Sequence, residues 1–233
     1  MADWSRDFED TAAAARRVGV ELTPAGCAKL SAYAARLLAA NHLLHLVSKG
    51  DEEHLFDRHL MEAISIAPLL ESLFRQESVE QPLLADIGSG GGLPGIPLAI
   101  ALPRIRVVLI ERSANKATFL HQVVVELKLT GVDVVCEDAR SAPVEGVDAV
   151  VSRAVGGPAR LWKLARPMLI EGGRMLAMDR RRRTSGPVDK PDDRPQEISL
   201  TDYAGGEIES RTWLESGRKM QEHGVLVVRK VRL

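Results

Sequence analysis

Cysteine is scarce: the chain of 233 residues has two, Cys27 and Cys136, far apart and without a C-x-x-C spacing or histidine-rich company. That excludes a disulfide scaffold, signals no zinc or other metal site, and leads us to expect a reducing cytoplasm. Net charge is nearly absent too, at -1 by formal count, so any surface for a polyanion must be local. No run approaches the ~20 apolar residues that span a bilayer, so no membrane association is expected. The first residues, with Asp3, Asp7, Glu9 and Asp10, are unlike a signal peptide.

What is present is enough for a full core: 45% of residues are hydrophobic and 27% charged, which suits one domain with a small appendage. The chain is organised around Leu83-Leu84-Ala85-Asp86-Ile87-Gly88-Ser89-Gly90-Gly91-Gly92-Leu93-Pro94-Gly95-Ile96-Pro97. An apolar run ends in glycines and then in prolines suited to a first helical turn, which reads as strand, ligand cradle and helix. Two cofactors compete for it. Gly88-x-Gly90-x-Gly92 fits a methyltransferase loop, while Gly90-x-Gly92-x-x-Gly95 formally fits the dinucleotide fingerprint, a weak signal alone. Asp86 favours the first, because a carboxylate at the strand end is unwelcome beside a pyrophosphate but attracts the sulfonium and ammonium of S-adenosylmethionine. Glu111 follows Gly88 by 23 residues, at the end of the next expected strand, and suits a carboxylate accepting ribose hydroxyls in either class.

The spacing predicts a helical N-terminal extension over residues 1–81 packed on a main domain over 82–233. Within the extension, helices are expected over 4–18, from Thr23-Pro24 as cap and first residue, and from 51 or 52 to about 74, with Pro68 breaking or kinking the last. After the cradle, strands over 106–110, 132–136, 147–151 and 174–178 alternate with helices over 94–101, 114–129 and 158–168. That alternation implies an α/β, doubly wound, mostly parallel Rossmann-like sheet with ligands at the strands' carboxyl ends. Residues 180–195 read as a charged loop, and a strong strand at 225–228 with weaker signals over 197–203 suggests an antiparallel edge hairpin.

Polar residues collect at the expected carboxyl ends: Asp86, Glu111, Asp138-Ala139-Arg140 and Ser152-Arg153. The Asp138 to Arg140 segment reads either as an adenine pocket or as an ordinary turn.

The cradle, the upstream Arg58-His59, the helix beginning Phe119-Leu120 and the tripeptide Ser152-Arg153-Ala154 together resemble the glucose-inhibited division protein B family, over about residues 41–177. Its members are the small-subunit ribosomal RNA (guanine-N7) methyltransferases of bacteria. The resemblance implies a class I S-adenosylmethionine-dependent fold and cytoplasmic rRNA methylation. The implied partner is 16S ribosomal RNA or the assembling small subunit, and the chain is expected to be a monomer. Cofactor-binding positions fall on Gly88, Leu93, Ala139, Arg140 and Arg153, with Glu111 as the ribose acid; Asp86 and Gly90 join them from the loop itself. This chain departs from the family at His45-Leu46-Val47, Glu62-Ala63, Asp179-Arg180 and a basic position before the last strand that appears as His223. All are on the substrate side.

Residue chemistry narrows the acceptor. The two asparagines, Asn41 and Asn115, precede His and Lys, and no Asp precedes a Pro-Pro pair, so the arrangement common in exocyclic-amine methylation is missing. Carbon-5 methylation of pyrimidines needs a thiolate, yet Cys136 falls in an expected core strand and Cys27 in a helix. Guanine N7 has an in-plane lone pair and needs no base; alignment and a dry pocket suffice. Arg153, His59 and Arg58 are the expected catalytic-side residues, and Arg180, Arg181, Arg182 and Arg183 the expected RNA contacts. A catalytically impaired RNA- or ribosome-binding protein that keeps the donor pocket, and a small-molecule methyltransferase, remain the alternatives.

Overall fold

A computed structural model describes residues 8–153, 156–182, 203–216 and 221–231. The N-terminal region folds as α1 (Phe8–Arg17) and α2 (Pro24–Leu44), a 3-10 segment (Lys49–His54), a π-type segment (Leu55–Leu60), α3 (Met61–Ser65) and α4 (Ala67–Gln76). Thr23 caps α2 as its chemistry predicts, its Oγ1 accepting from the Gly26 N–H at 3.0 Å ahead of Pro24.

The single helix expected over 51–74 is instead four segments. Pro68 sits in the first turn of α4, where its missing N–H costs nothing, so the preceding helix ends at Ser65. Upstream, five of the six residues of Lys49–His54 are ionisable or histidine, a poor helical pattern. Glu52 is claimed by α2, accepting from Asn41 Nδ2 at 2.6 Å, and Asp51 accepts from Ser48 Oγ at 2.7 Å within its own turn.

The main body alternates β1 (Leu83–Ile87), α5 (Gly95–Ala101), β2 (Arg106–Ile110), α6 (Ala114–Glu126), β3 (Val132–Val135), β4 (Val147–Ser152), α7 (Pro158–Ala165), β5 (Leu169–Arg182), β6 (Gly206–Ser216) and β7 (Gln221–Lys230). The seven strands among the described residues lie in the order β3-β2-β1-β4-β5-β7-β6, parallel from β3 to β5 and antiparallel at β7 and β6. The edge hairpin is therefore real, and its described strands are Gly206–Ser216 and Gln221–Lys230. Of the weaker signal over 197–203 only Tyr203 is described, in a 3-10 turn; 197–202 lie outside the described residues. β5 is also longer than 174–178 and takes Arg180, Arg181 and Arg182 into the strand, where a loop was expected; Arg183 lies outside the described residues.

Both sheet faces are apolar, in alternate register along each strand. Leu84, Val107, Leu109, Val151 and Leu176 join one cluster with Leu30, Tyr33 and Leu37 of α2, Ile96 and Leu98 of α5, and Phe119, Leu120 and Val123 of α6. Ala85, Ile87, Val108, Ile110 and Val150 join the other with Leu161, Trp162 and Ala165 of α7. Thus the N-terminal helices share a core with the sheet. At the opposite end of β5 from the glycine loop, buried Arg174 pairs with Glu77 after α4 and Glu209 on β6, both at 3.0 Å, and ties the hairpin to the extension.

Candidate methyl-donor and acceptor site

Strand order reverses beside β1: the chain runs outward through β2 and β3, then returns to place β4 on β1's other side. Ligands of such sheets sit at this switch point, outside the carboxyl ends. Ser152 Oγ, at the end of β4, donates to the Ile87 carbonyl at 2.8 Å and locks the two strand ends together.

The glycine loop leaves β1 here. Gly88, Gly90 and Gly92 all have positive φ (72°, 56° and 93°), a conformation that side-chain-bearing residues adopt only with strain. Gly88 is exposed and Gly90 half-exposed, so they form the loop's open face, whereas Gly92 and Gly95 face inward. A Cβ on Gly95 would lie 2.3 Å from Leu109 Cδ2 and 2.8 Å from Asp86 Oδ2.

Asp86 is fully buried, and its Oδ2 accepts the Gly95 N–H at 3.0 Å. Burial raises its carboxyl to about 7, the Gly95 and Ser89 hydrogen bonds opposing only in part. From sequence this carboxylate was expected beside the donor's cationic groups. In the structure it points into the loop's own interior and shapes the turn.

Glu111, 8% exposed at the end of β2, accepts the Gly90 N–H at Oε2 (2.9 Å) and the Ser113 N–H at Oε1 (2.8 Å). Each carboxylate oxygen keeps a second lone pair, so Glu111 can hold the loop and still accept from ribose hydroxyls. After β3, Asp138 is gripped by Arg140. The guanidinium donates from Nε to Oδ1 and from Nη2 to Oδ2, both at 2.9 Å, and the Arg140 N–H bonds Oδ1 at 3.0 Å. This holds the Asp138 carboxyl well below the usual range. The segment is a closed turn with half-buried Ala139 at its tip. Cys136 is exposed just beyond β3, not in a core strand as expected, because β3 stops at Val135 on the sheet edge; Cys27 is buried in α2.

Next to the loop lies a cleft of about 320 Å³ lined by His45, Leu46, Val47, Ser48, Lys49, Asp51, His59 and Arg153. Two of the three expected catalytic-side residues meet in it. The Arg153 guanidinium is hydrogen-bonded to His59 Nδ1. Because a guanidinium has only donors, Nδ1 is the accepting nitrogen and the ring proton is on Nε2, which lies 3.5 Å from Asp51 Oδ2. Arg58 is outside the lining and pairs with Asp51 from behind.

Sequence patterns gave no sign of the residues that build this cleft from the N-terminal side. Asn41 is buried; its Oδ1 accepts the Leu46 and Val47 N–H groups at 2.7 and 2.9 Å and so folds residues 45–48 into a wall. Tyr33, fully buried, donates from its hydroxyl to the Gly91 carbonyl at 2.7 Å. In the sequence Asn41 stands out only as an asparagine that precedes His, and Tyr33 falls among the apolar positions of α2 with Leu30 and Leu37. The substrate-side departures separate here. His45 and Val47 line the cleft, whereas His223 lies within β7, buried, its Nε2 3.1 Å from Ser65 Oγ. Ala63 is core, and Asp179 pairs with Gly224 in the sheet.

This sheet order and open glycine loop, with an acid at the end of β2, define a class I S-adenosylmethionine-dependent methyltransferase fold. A solved S-adenosylmethionine-dependent methyltransferase from Aquifex aeolicus superposes with a TM-score of 0.50 at 15% identity, over 74% of this chain and 91% of that one. The chain belongs to the family described as rRNA small subunit methyltransferase G (GidB), whose profile matches residues 26–186. Among curated relatives, the ribosomal RNA small subunit methyltransferase G of Sorangium cellulosum (strain So ce56) is 42% identical over 163 residues, covering 68% of this chain and 66% of that protein. The protein of the same name from Polynucleobacter asymbioticus is 32% identical over 190 residues, 80% of this chain and 81% of its own length.

Proposed function

We propose that this chain transfers a methyl group from S-adenosylmethionine to N7 of a guanine in 16S ribosomal RNA. The observation that carries this reading is the close approach of the two halves of the site: the glycine loop runs so near the cleft wall at Gly91 that a Cβ there would stand 3.2 Å from Leu46 Cβ, and that cleft carries Lys49 and Arg153.

The residues present fit the donor. Gly88 and Gly90 offer an open backbone, Glu111 an acceptor for ribose hydroxyls and half-buried Ala139 apolar surface at the side, while Leu93 is buried in the core behind the loop. Bound there, S-adenosylmethionine supplies a methyl group activated on a sulfonium. The acceptor side then has to present one lone pair in line with it, and most of the rate advantage comes from that alignment in a site shielded from water. Guanine N7 carries no proton, so no residue need act as a base. That agrees with a His59 ring whose nitrogens face Arg153 and Asp51 and which therefore positions the arginine. Arg153 reaches the cleft beside the end of β4, where its guanidinium can donate to O6 of the base or to a phosphate. Lys49 and Arg153 outnumber Asp51 among the charged side chains of the lining, which suits a polyanionic substrate.

The test is 16S RNA from a strain lacking this chain. It should be missing one N7-methylguanine, and purified protein with S-adenosylmethionine should restore it on that RNA or on small subunits. Full methylation in the deletion strain refutes the reading. Donor binding without restoration would favour a non-catalytic ribosome-binding protein.

A further inference from the structure

Three side chains of α2, spaced i, i+4 and i+8, fall on one helical face, because four residues turn a helix only slightly past one revolution. They are Tyr33, Leu37 and Asn41, each at most 2% exposed. All three act at the site, yet none lines the cleft. Tyr33 holds the Gly91 carbonyl at 2.7 Å. Leu37 abuts the same glycine: a Cβ there would stand 3.3 Å from Leu37 Cδ1 and 3.2 Å from Leu46 Cβ. Asn41 fixes the backbone of Leu46 and Val47.

One face of one helix therefore grips the donor loop at Gly91 and the cleft wall at residues 46 and 47, and Leu46 closes the circuit by packing on Gly91. Tyr33 is also electrostatically central. Burial keeps its hydroxyl protonated far above the ordinary range, with Arg153 opposing and Asp86 reinforcing that shift, so the hydroxyl stays a donor at any working pH.

We propose that this face of α2 is a brace that holds the methyl-donor loop and the acceptor cleft in register, with Tyr33 as the positioning residue for the donor loop. This rests on the donor and acceptor reading above. Removing the Tyr33 hydroxyl leaves the Gly91 carbonyl buried without its partner, so the loop samples other conformations before binding, and part of the donor's affinity goes into restoring the right one. A residue acting this way changes donor affinity and leaves the rate at saturation nearly unaltered.

The experiment is Tyr33→Phe in the full chain, with two measurements. In ligand-free protein, hydrogen exchange at the Gly92 and Leu93 amides, both bonded to the Ser89 carbonyl, should rise by about tenfold while amides of β1 and β2 stay as in wild type. With ligand, the Kd and KM for S-adenosylmethionine should rise about five- to tenfold, with kcat at saturation within about twofold. Unchanged loop exchange and unchanged donor Kd overturn the brace. So does faster exchange spread evenly through the sheet with a lowered melting midpoint, which would make Tyr33 an ordinary core residue. Should Tyr33→Phe not fold, Gly91→Ala carries the test: its Cβ presses on both Leu37 and Leu46, and it should raise KM for donor and RNA together. Because loop exchange is read without ligand, it judges the brace even for a chain that methylates no RNA, whereas abolished transfer with normal loop exchange counts only against the function.

Discussion

The Arg153 guanidinium is hydrogen-bonded to His59 Nδ1 across 94 positions of sequence, joining the end of β4 to the π-type segment of the N-terminal region. Alanine at either position should lower methyl transfer per folded molecule by tenfold or more with little change in melting. The double variant should lose much less than the two losses combined, because residues that act as a unit are not additive. Strict additivity would show that the two act separately. A large fall in melting with unchanged transfer per folded molecule would make Arg153 a structural partner.

Glu111 holds two backbone N–H groups of the donor site, so Glu111→Ala removes a charged acceptor and loosens the loop together. Calorimetry should show S-adenosylmethionine binding weakened by about 1 to 3 kcal/mol. Competitive displacement of S-adenosylmethionine by NADH from the wild type would overturn the donor assignment.

Asp86 makes stability depend on pH in a definite direction. Burial raises its carboxyl to about 7 in the folded protein, against ~3.9 when unfolded. Folding therefore favours the protonated form. Its contribution is complete below about pH 4 and is lost as pH rises through about 7. Asp86→Asn does not titrate, so its unfolding free energy should gain on wild type between about pH 4 and 7, by up to roughly 4 kcal/mol for three pKa units, and stay level above that. A difference independent of pH would show that Asp86 is ionised throughout.

Arg180, Arg181 and Arg182 end β5, next to Arg183. Neutralising all four should weaken RNA binding and flatten its dependence on salt, by about 0.7 to 0.9 in the log-log slope for each phosphate that the protein no longer neutralises. Donor affinity should hold. An unaltered slope would move the RNA surface to the N-terminal rim around Lys49, Arg58 and His59.

Much of this protein is legible in its sequence, because local chemistry and tertiary demand agree there. The glycine loop needs positive φ at Gly88, Gly90 and Gly92 whatever surrounds it, Thr23-Pro24 starts a helix in any context, and apolar strands alternating with amphipathic helices can pack in few ways other than a parallel sheet. Residues 49–60 are different. Their helical pattern is weak, and the backbone follows distant partners instead: Asn41 for Glu52, and Arg153 for His59. Asp86 shows the same division within one residue. Its type and position at a strand end suggested a carboxylate facing the donor. Only the packing of Gly95 and Leu109 around it decided that it faces inward, because side-chain direction at a strand end depends on which face the sheet buries. Tyr33 carried no mark of function at all, since a buried tyrosine on a helix satisfies the apolar pattern as a leucine would; the hydroxyl's partner 58 residues away exists only once the chain has folded.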